Sequence, residues 1–362
     1  MLRRVPSGPS LRSIAFYLPQ FHPIPENDAW WGTGFTEWTN VTKARPLFPG
    51  HRQPDLPGEL GFYDLRVAEN RHAQAELARA YGVSGFCYWH YWFGGGRRIL
   101  ERPITEVIES GEPDLGFCLG WANESWSGVW HGAKDTILIE QTYPGAADEE
   151  AHFEAVLPAF RDPRYLTVDG RPIFYVFRPE NLPDVAGFIA HWRALAEAAG
   201  LPGLYFVAEV TNRTEEEPTY ATARIDGFDA AVFMRLPALR RRGSARRVNL
   251  SRRLGMPESY PYLPQPEPLP DFVDPDFFQP AVWPAWDNTP RSGRNGVVLT
   301  GSSPERFRTH VAAAARRARE LPDGEGIVWV KSWNEWAEGN HLEPDRRWGR
   351  GWLEALAAGL SD

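Results

Sequence analysis

At 362 residues, with 43% apolar and 24% charged positions, the chain has the balance of a globular protein able to bury a substantial core, which excludes a largely disordered or fibrous one. This length is above that of a typical domain yet inside the range of one (β/α)8 barrel with long loops. A formal net charge of −8 and a pI near 5.7 argue against nucleic acid or an anionic membrane surface as the main partner.

The N-terminal Met1 to Ser13 is basic and polar and reads as a tail. The apolar run Ile14 to Leu18 then stops at Pro19, too short for a signal-peptide core. No later run approaches the roughly 18 apolar residues needed for a bilayer span, so the expectation is a cytoplasmic protein without an integral membrane segment. Ile14 to Leu18 opens a series of eight β-rich runs, continued by Ser84 to Tyr88, Leu115 to Leu119, Ile173 to Phe177, Leu204 to Ala208, Ala230 to Met234, Ala281 to Ala285 and Gly326 to Val330. Several are separated by helical stretches, the pattern of a parallel sheet with helices outside. The predicted fold is therefore an α/β (β/α)8 TIM barrel over 14–362, a single domain with long loops after its strands.

Helix boundaries are readable in two places. Ala73, Leu77, Ala80 and Tyr81 recur at helical spacing before Gly82, a left-handed stop. Later, Ser303 can cap, Pro304 suits the first helical position, and Glu305 complements the dipole of a run reaching about Glu320. Between Arg235 and Pro280 no clean helix stands. A basic stretch there (Arg240 to Arg242, Arg246, Arg247, Arg252, Arg253) gives way to a Pro-rich segment and predicts an extended excursion, more a solvated loop than a phosphate clamp. Cys87 and Cys118 lie in apolar runs and read as inert buried thiols; no zinc-type spacing occurs, and neither metal nor cofactor is expected. Oligomeric state is not legible.

The 16 Trp, 12 Tyr and 20 Phe cluster beside Gly, His and Asn, which suggests an aromatic-lined cleft able to stack on sugar faces. In a barrel, working groups follow the carboxyl ends of the strands. Here Tyr17, within the first run, is a binding candidate, and His22, Trp31, Glu37 and Trp38 follow that run; Trp89, His90 and Trp92 follow the second; Asn123, Glu124 and Trp126 follow the third. Arg178, Glu209 with Asn212, Arg235, and Trp286 with Asp287 follow the next four. His22 and His90 also suit packing roles, and Arg178 could pair with Glu180 or another rim carboxylate.

The densest signal comes after the eighth run: Ser332, Trp333, Asn334, Glu335, Trp336, Ala337, Glu338, Gly339. Two carboxylates three residues apart on a turn can face one pocket, and glycosidic chemistry needs such a pair, one carboxylic acid and one carboxylate. Trp333 and Trp336 could dry the site and raise the acid's pKa. The competing reading is two surface glutamates paired with Arg346 and Arg347.

The run from Trp333 to Gly339, with Leu342-Glu343-Pro344, resembles the final-strand motif of glycoside hydrolase family 99, the endo-α-mannosidase group. Tyr17-Leu18-Pro19-Gln20-Phe21-His22, Trp30-Trp31-Gly32 and Gly34-Phe35-Thr36-Glu37-Trp38-Thr39-Asn40 are more similar still to the WbsX-type proteins, which are named as glycosyltransferases of bacterial surface-polysaccharide synthesis. The likeness continues through Phe86 to Phe93, Trp121 to Trp126 and Trp286 to Arg291. It implies a retaining reaction in which the sugar's own 2-hydroxyl attacks the anomeric carbon, with Glu335 as its base and Glu338 as the acid/base for the leaving group. Ala337 and Asn340 depart from the family-99 pattern, which has His and Thr there. Three functions stand at this point: a retaining hydrolase or transglycosidase on a mannose-like glycan; a glycosyltransferase of O-antigen or capsule assembly, for which no Gly-rich phosphate loop is evident; and a non-catalytic glycan binder. The partner is an oligosaccharide or polysaccharide in each.

Overall fold

The computed structural model describes residues 11–128, 136–210, 227–234, 255–264, 274–322 and 324–362. Its main sheet contains nine parallel strands: β1 (Arg12–Tyr17), β2 (Gly85–His90), β3 (Gly116–Trp121), β4 (Arg171–Val176), β5 (Tyr205–Val210), β6 (Ala230–Phe233), β7 (Phe278–Gln279), β8 (Ala281–Val282) and β9 (Ile327–Val330). Their lateral order is β7-β6-β5-β4-β3-β2-β1-β9-β8, so the sheet curls round until its two short ends meet as a (β/α)8 barrel.

Closure runs through Pro280. Expected as one strand, the seventh segment is two short pieces, β7 pairing with β6 and β8 with β9. Proline has no N–H for the ladder, so the strand breaks at it. Its carbonyl is still used, accepting from the Trp329 N–H at 2.9 Å.

Alternation decides which side chains meet inside. Phe16 of β1 stacks on Trp89 and Trp329 and meets Tyr175 of β4 edge-on, a contact possible only through the barrel interior. Tyr17, one residue on, faces outward, where its hydroxyl donates to Gln74 at 2.7 Å on the helix Ala68–Ala80. Cys87 and Cys118 are fully buried free thiols, as their apolar runs imply. The two readable helices form as expected: Gly82 takes φ 84° after the first, and Ser303 accepts from Arg306 N–H at the start of the helix Pro304–Arg319. Among the described residues, no helix is long and apolar enough to cross a membrane. The basic stretch from Arg240 to Arg253, together with Asn212 and Arg235, lies outside the described residues.

Candidate active site

The segment after β9 is a small ribbon. Asn334–Glu335 pairs antiparallel with Asn340–His341, and a tight turn over Trp336–Glu338 joins them. Ser332 Oγ accepts the N–H groups of Asn334 and Glu335, at 3.1 and 2.8 Å. Asn334 clamps the end of β1: its Oδ1 accepts Leu18 N–H at 2.7 Å and its Nδ2 donates to Leu18 O at 3.1 Å. Gly339 ends the turn at φ 57°, where a Cβ would sit 2.9 Å from the Cβ of Asp287, so glycine is required by conformation and by space.

This scaffold aims Glu335 and Glu338 into a cavity of about 340 Å³ at the carboxyl ends of the strands. Both are nearly out of water, 7% and 8% exposed, and both rest on one nitrogen: Arg291 Nη1 donates to Glu338 Oε1 at 2.7 Å and lies 3.3 Å from Glu335 Oε2. Arg291 Nε donates to Glu37 Oε1 at 2.7 Å, so one guanidinium ties three buried carboxylates. The sequence alternative of surface pairing with Arg346 and Arg347 is thereby replaced. Burial, and then the neighbouring Glu338 carboxylate, lift the Glu335 carboxyl to about 8 against the pull of Arg291 and Lys331.

A second polar wall faces this cluster. Glu209 is buried, which raises its pKa; Lys331 and the Tyr175 hydroxyl, donating to Oε2 at 2.7 Å, oppose that rise. Arg178 lies over the Phe177 ring at 3.9 Å and pairs with Glu124 at 3.3 Å. Trp31, Trp89, Trp126, Trp283 and Trp286 supply the aromatic walls, and the indole N–H groups of Trp283 and Trp286 are buried without a partner among the described residues. Aromatic walls together with buried carboxylates suit a ligand that offers both C–H faces and hydroxyls.

Of the residues singled out from sequence, Trp31, Glu37, Trp89, Glu124, Trp126, Arg178, Glu209, Trp286, Glu335 and Glu338 line the cavity. The other described ones lie elsewhere. Tyr17 and His90 sit at outward-facing strand positions; His90 Nε2 is 2.8 Å from His152 Nε2, and burial lowers both imidazoles. Trp92 stacks on His152 and donates to Asp148 at 3.0 Å, outside the barrel mouth. His22 is buried near Asp64 and Arg66, with its pKa lowered by burial. Trp38 packs against Phe21, Tyr63 and Trp336 and donates to Tyr63 O. Asn123 is a clamp, bonded to the N–H and C=O of Arg178 at 2.7 Å each. Asp287 gathers Gln53, Thr289 and His51, and Asn334 is spent on Leu18. Trp333 and Trp336, expected to dry the cavity, instead donate their indole N–H groups to Glu343.

Sequence reasoning passed over Gln20, Tyr91, Arg291 and Lys331 as lining residues. Lys331 had a signal, since it continues the inward parity of Trp329 just past β9. Arg291 closes the Trp286 to Arg291 motif, but its importance lies in carboxylates remote in the chain. Asp55, His341 and Asp345 form a cluster with metal-ligand spacing. Their atoms are already engaged: His341 meets Glu343 O and Asp55, while Asp345 accepts from Arg347, Trp348 and Trp352.

The WbsX glycosyltransferase family profile matches residues 13–356. The chain belongs to the WbsX glycosyltransferase family. Two WxcX proteins of Xanthomonas campestris pv. campestris are similar to it: that of strain B100 is 40% identical over 354 residues and that of strain ATCC 33913 is 41% identical over 358. In both cases 96% of this chain is covered but 49% of the relative, so this WbsX chain spans about half the length of the curated relatives it matches. Among solved structures, a glycoside hydrolase-like protein superposes with a TM-score of 0.61 at 15% identity, covering 97% of this chain and 94% of the other. The GH99 endo-alpha-mannosidase of Bacteroides thetaiotaomicron does so at 0.55 and 14% identity, covering 97% and 96%. At these identities the superpositions speak for the barrel fold.

Proposed function

We propose that this WbsX-family chain carries out a retaining reaction at the glycosidic bond of a mannose-like glycan, with Glu335 as the base and Glu338 as the acid/base. The observation that carries the reading is the placement of both carboxylates on one guanidinium nitrogen at the mouth of a barrel. Burial and the nearby Glu338 carboxylate hold a proton on Glu335 near neutral pH. One protonated and one ionised carboxylate is the composition that glycosidic exchange needs.

On the roles the family resemblance implies, Glu335 takes the proton of the sugar 2-hydroxyl, and O2 attacks C1 as the C1–O bond to the leaving group breaks. Glu338 gives its proton to the departing oxygen. Water or an acceptor hydroxyl then passes a proton to Glu338 and attacks C1, the 1,2-anhydro ring opens, and O2 recovers its proton from Glu335. The cluster's proton rests on Glu335, whose carboxyl is raised, so it must shift to Glu338 as the sugar hydroxyl docks.

The family's name favours a second reading, glycosyl transfer from a nucleotide- or lipid-linked donor sugar. A mass-spectrometric turnover screen against α-mannosyl oligosaccharides and sugar nucleotides separates the two. Cleavage or transglycosylation of the oligosaccharides supports the proposal; consumption of sugar nucleotides alone supports the second reading.

A further inference from the structure

Below the working turn lies a carboxylate that none of the chemistry above uses. Glu343 is fully buried, and each of its oxygens receives two donors. Oε1 accepts from Gln74 Nε2 at 2.7 Å and Trp333 Nε1 at 2.8 Å; Oε2 accepts from the Tyr63 hydroxyl at 2.9 Å and Trp336 Nε1 at 2.6 Å. Indole and amide N–H groups can only donate, so at least three of these contacts require acceptor oxygen at Glu343.

We infer that Glu343 is a positioning residue whose four-donor network pins the turn that presents Glu335 and Glu338. Trp333 stands just before Asn334–Glu335 and Trp336 just after, and their indoles converge on one carboxylate, so the backbone bearing Glu335 is strung between two tethered side chains. The remaining donors come from elsewhere: Gln74 from the helix Ala68–Ala80, and Tyr63 from the segment ahead of it. The network thus ties the turn to the barrel's outer layer. Tyr63 also receives Asn334 Nδ2 at 3.2 Å, which links it to the Leu18 clamp. The same loop returns to the turn through His341, stacked on Trp336 at 3.7 Å with its Nδ1 3.0 Å from Glu343 O and its Nε2 3.2 Å from Asp55. Burial lifts the Glu343 carboxyl to about 7; its hydrogen bonds from Trp336, Gln74 and Tyr63 and the nearby His341 pull the other way. A purely space-filling role would be met by an apolar side chain of similar volume and would need no four donors.

This inference rests on the turn being catalytic, and its test separates the two ideas. Glu343→Gln keeps the shape but turns an NH2 toward two of the donors. In that variant kcat falls by about ten- to a hundredfold with KM within about threefold, the size of loss a slightly displaced catalytic group produces. Amide hydrogen exchange across 332–341, measured without substrate, becomes faster than in wild type. Adding Trp336→Phe, which deletes one of the opposed donors, restores kcat to that of Trp336→Phe alone. Wild-type kcat and unchanged exchange in a folded Glu343→Gln overturn the inference. Should Glu343→Gln fail to fold, Trp336→Phe and Tyr63→Phe each remove one donor and keep the carboxylate; a loss of kcat at constant KM supports the pin, and full activity in both overturns it. Glu335→Gln is run alongside: if it retains turnover, the catalytic reading of the turn fails, independently of how Glu343 variants behave.

Discussion

Glu335 and Glu343 belong to one loop and are both buried, yet their surroundings are opposite. Glu343 has each oxygen saturated by two donors. Glu335 has an Oε2 with no hydrogen bond among the described residues, a repelling neighbour in Glu338 and a shared guanidinium at 3.3 Å. Saturated buried acids hold structure, and under-satisfied ones facing a cavity are held ready for something that arrives. On the proposed function, the contrast divides the loop into the acids that work, Glu335 and Glu338, and the one that supports them, Glu343.

The hardest blow to this contrast is removal of a working acid. Glu338→Gln and Glu335→Gln are each expected to lower kcat by about 10²–10⁴ on any glycan the wild type turns over, the usual contribution of a positioned acid or base. Steady-state assays check this, with circular dichroism to confirm folding. Next in size is Arg291→Met, which leaves three buried carboxylates without their common cation. Its stability should fall by about 3–5 kcal/mol in urea titration at pH 8, as for other broken buried ion pairs, and by much less at pH 5, where protonation relieves the repulsion.

The pH dependence sharpens the comparison. Glu335 holds its proton more tightly folded, to about 8, than its ordinary value of 4.5. It therefore contributes stability that is complete below about 4.5 and is lost as pH rises through about 8. Glu335→Gln should melt higher than wild type by a few degrees at pH 8, with the gain vanishing near pH 4.5, in a calorimetric pH series. Because the reaction uses the pair with one proton, kcat/KM should fall as pH rises above about 8, where that proton is lost. The smallest effect belongs to the aromatic region after β2. Trp92→Phe removes the bond to Asp148 and should cost about 1 kcal/mol of stability while leaving KM unchanged.

That last region shows where the sequence was legible and where it was not. The strands could be read because each is a short apolar run; only the seventh was misplaced, since Pro280 splits it into Phe278–Gln279 and Ala281–Val282. The rim was read by proximity to strand ends. That served Glu335, Glu338 and Trp126 but not Tyr17 or His90, which alternate to the outer face and meet Gln74 and His152. Arg291 stayed hidden because its partner Glu37 is 254 positions away, and no local pattern announces a pairing made by barrel closure. Asn123 and Asn334 resembled ligand-binding amides and are backbone clamps, a distinction that depends on which carbonyls the loops bring near.

The most direct measurement is the anomeric configuration of the first-formed product, followed by NMR on the glycan that the purified protein turns over. Retention, lost in Glu338→Gln, is the predicted result. An inverted product contradicts the assigned use of Glu335 and Glu338.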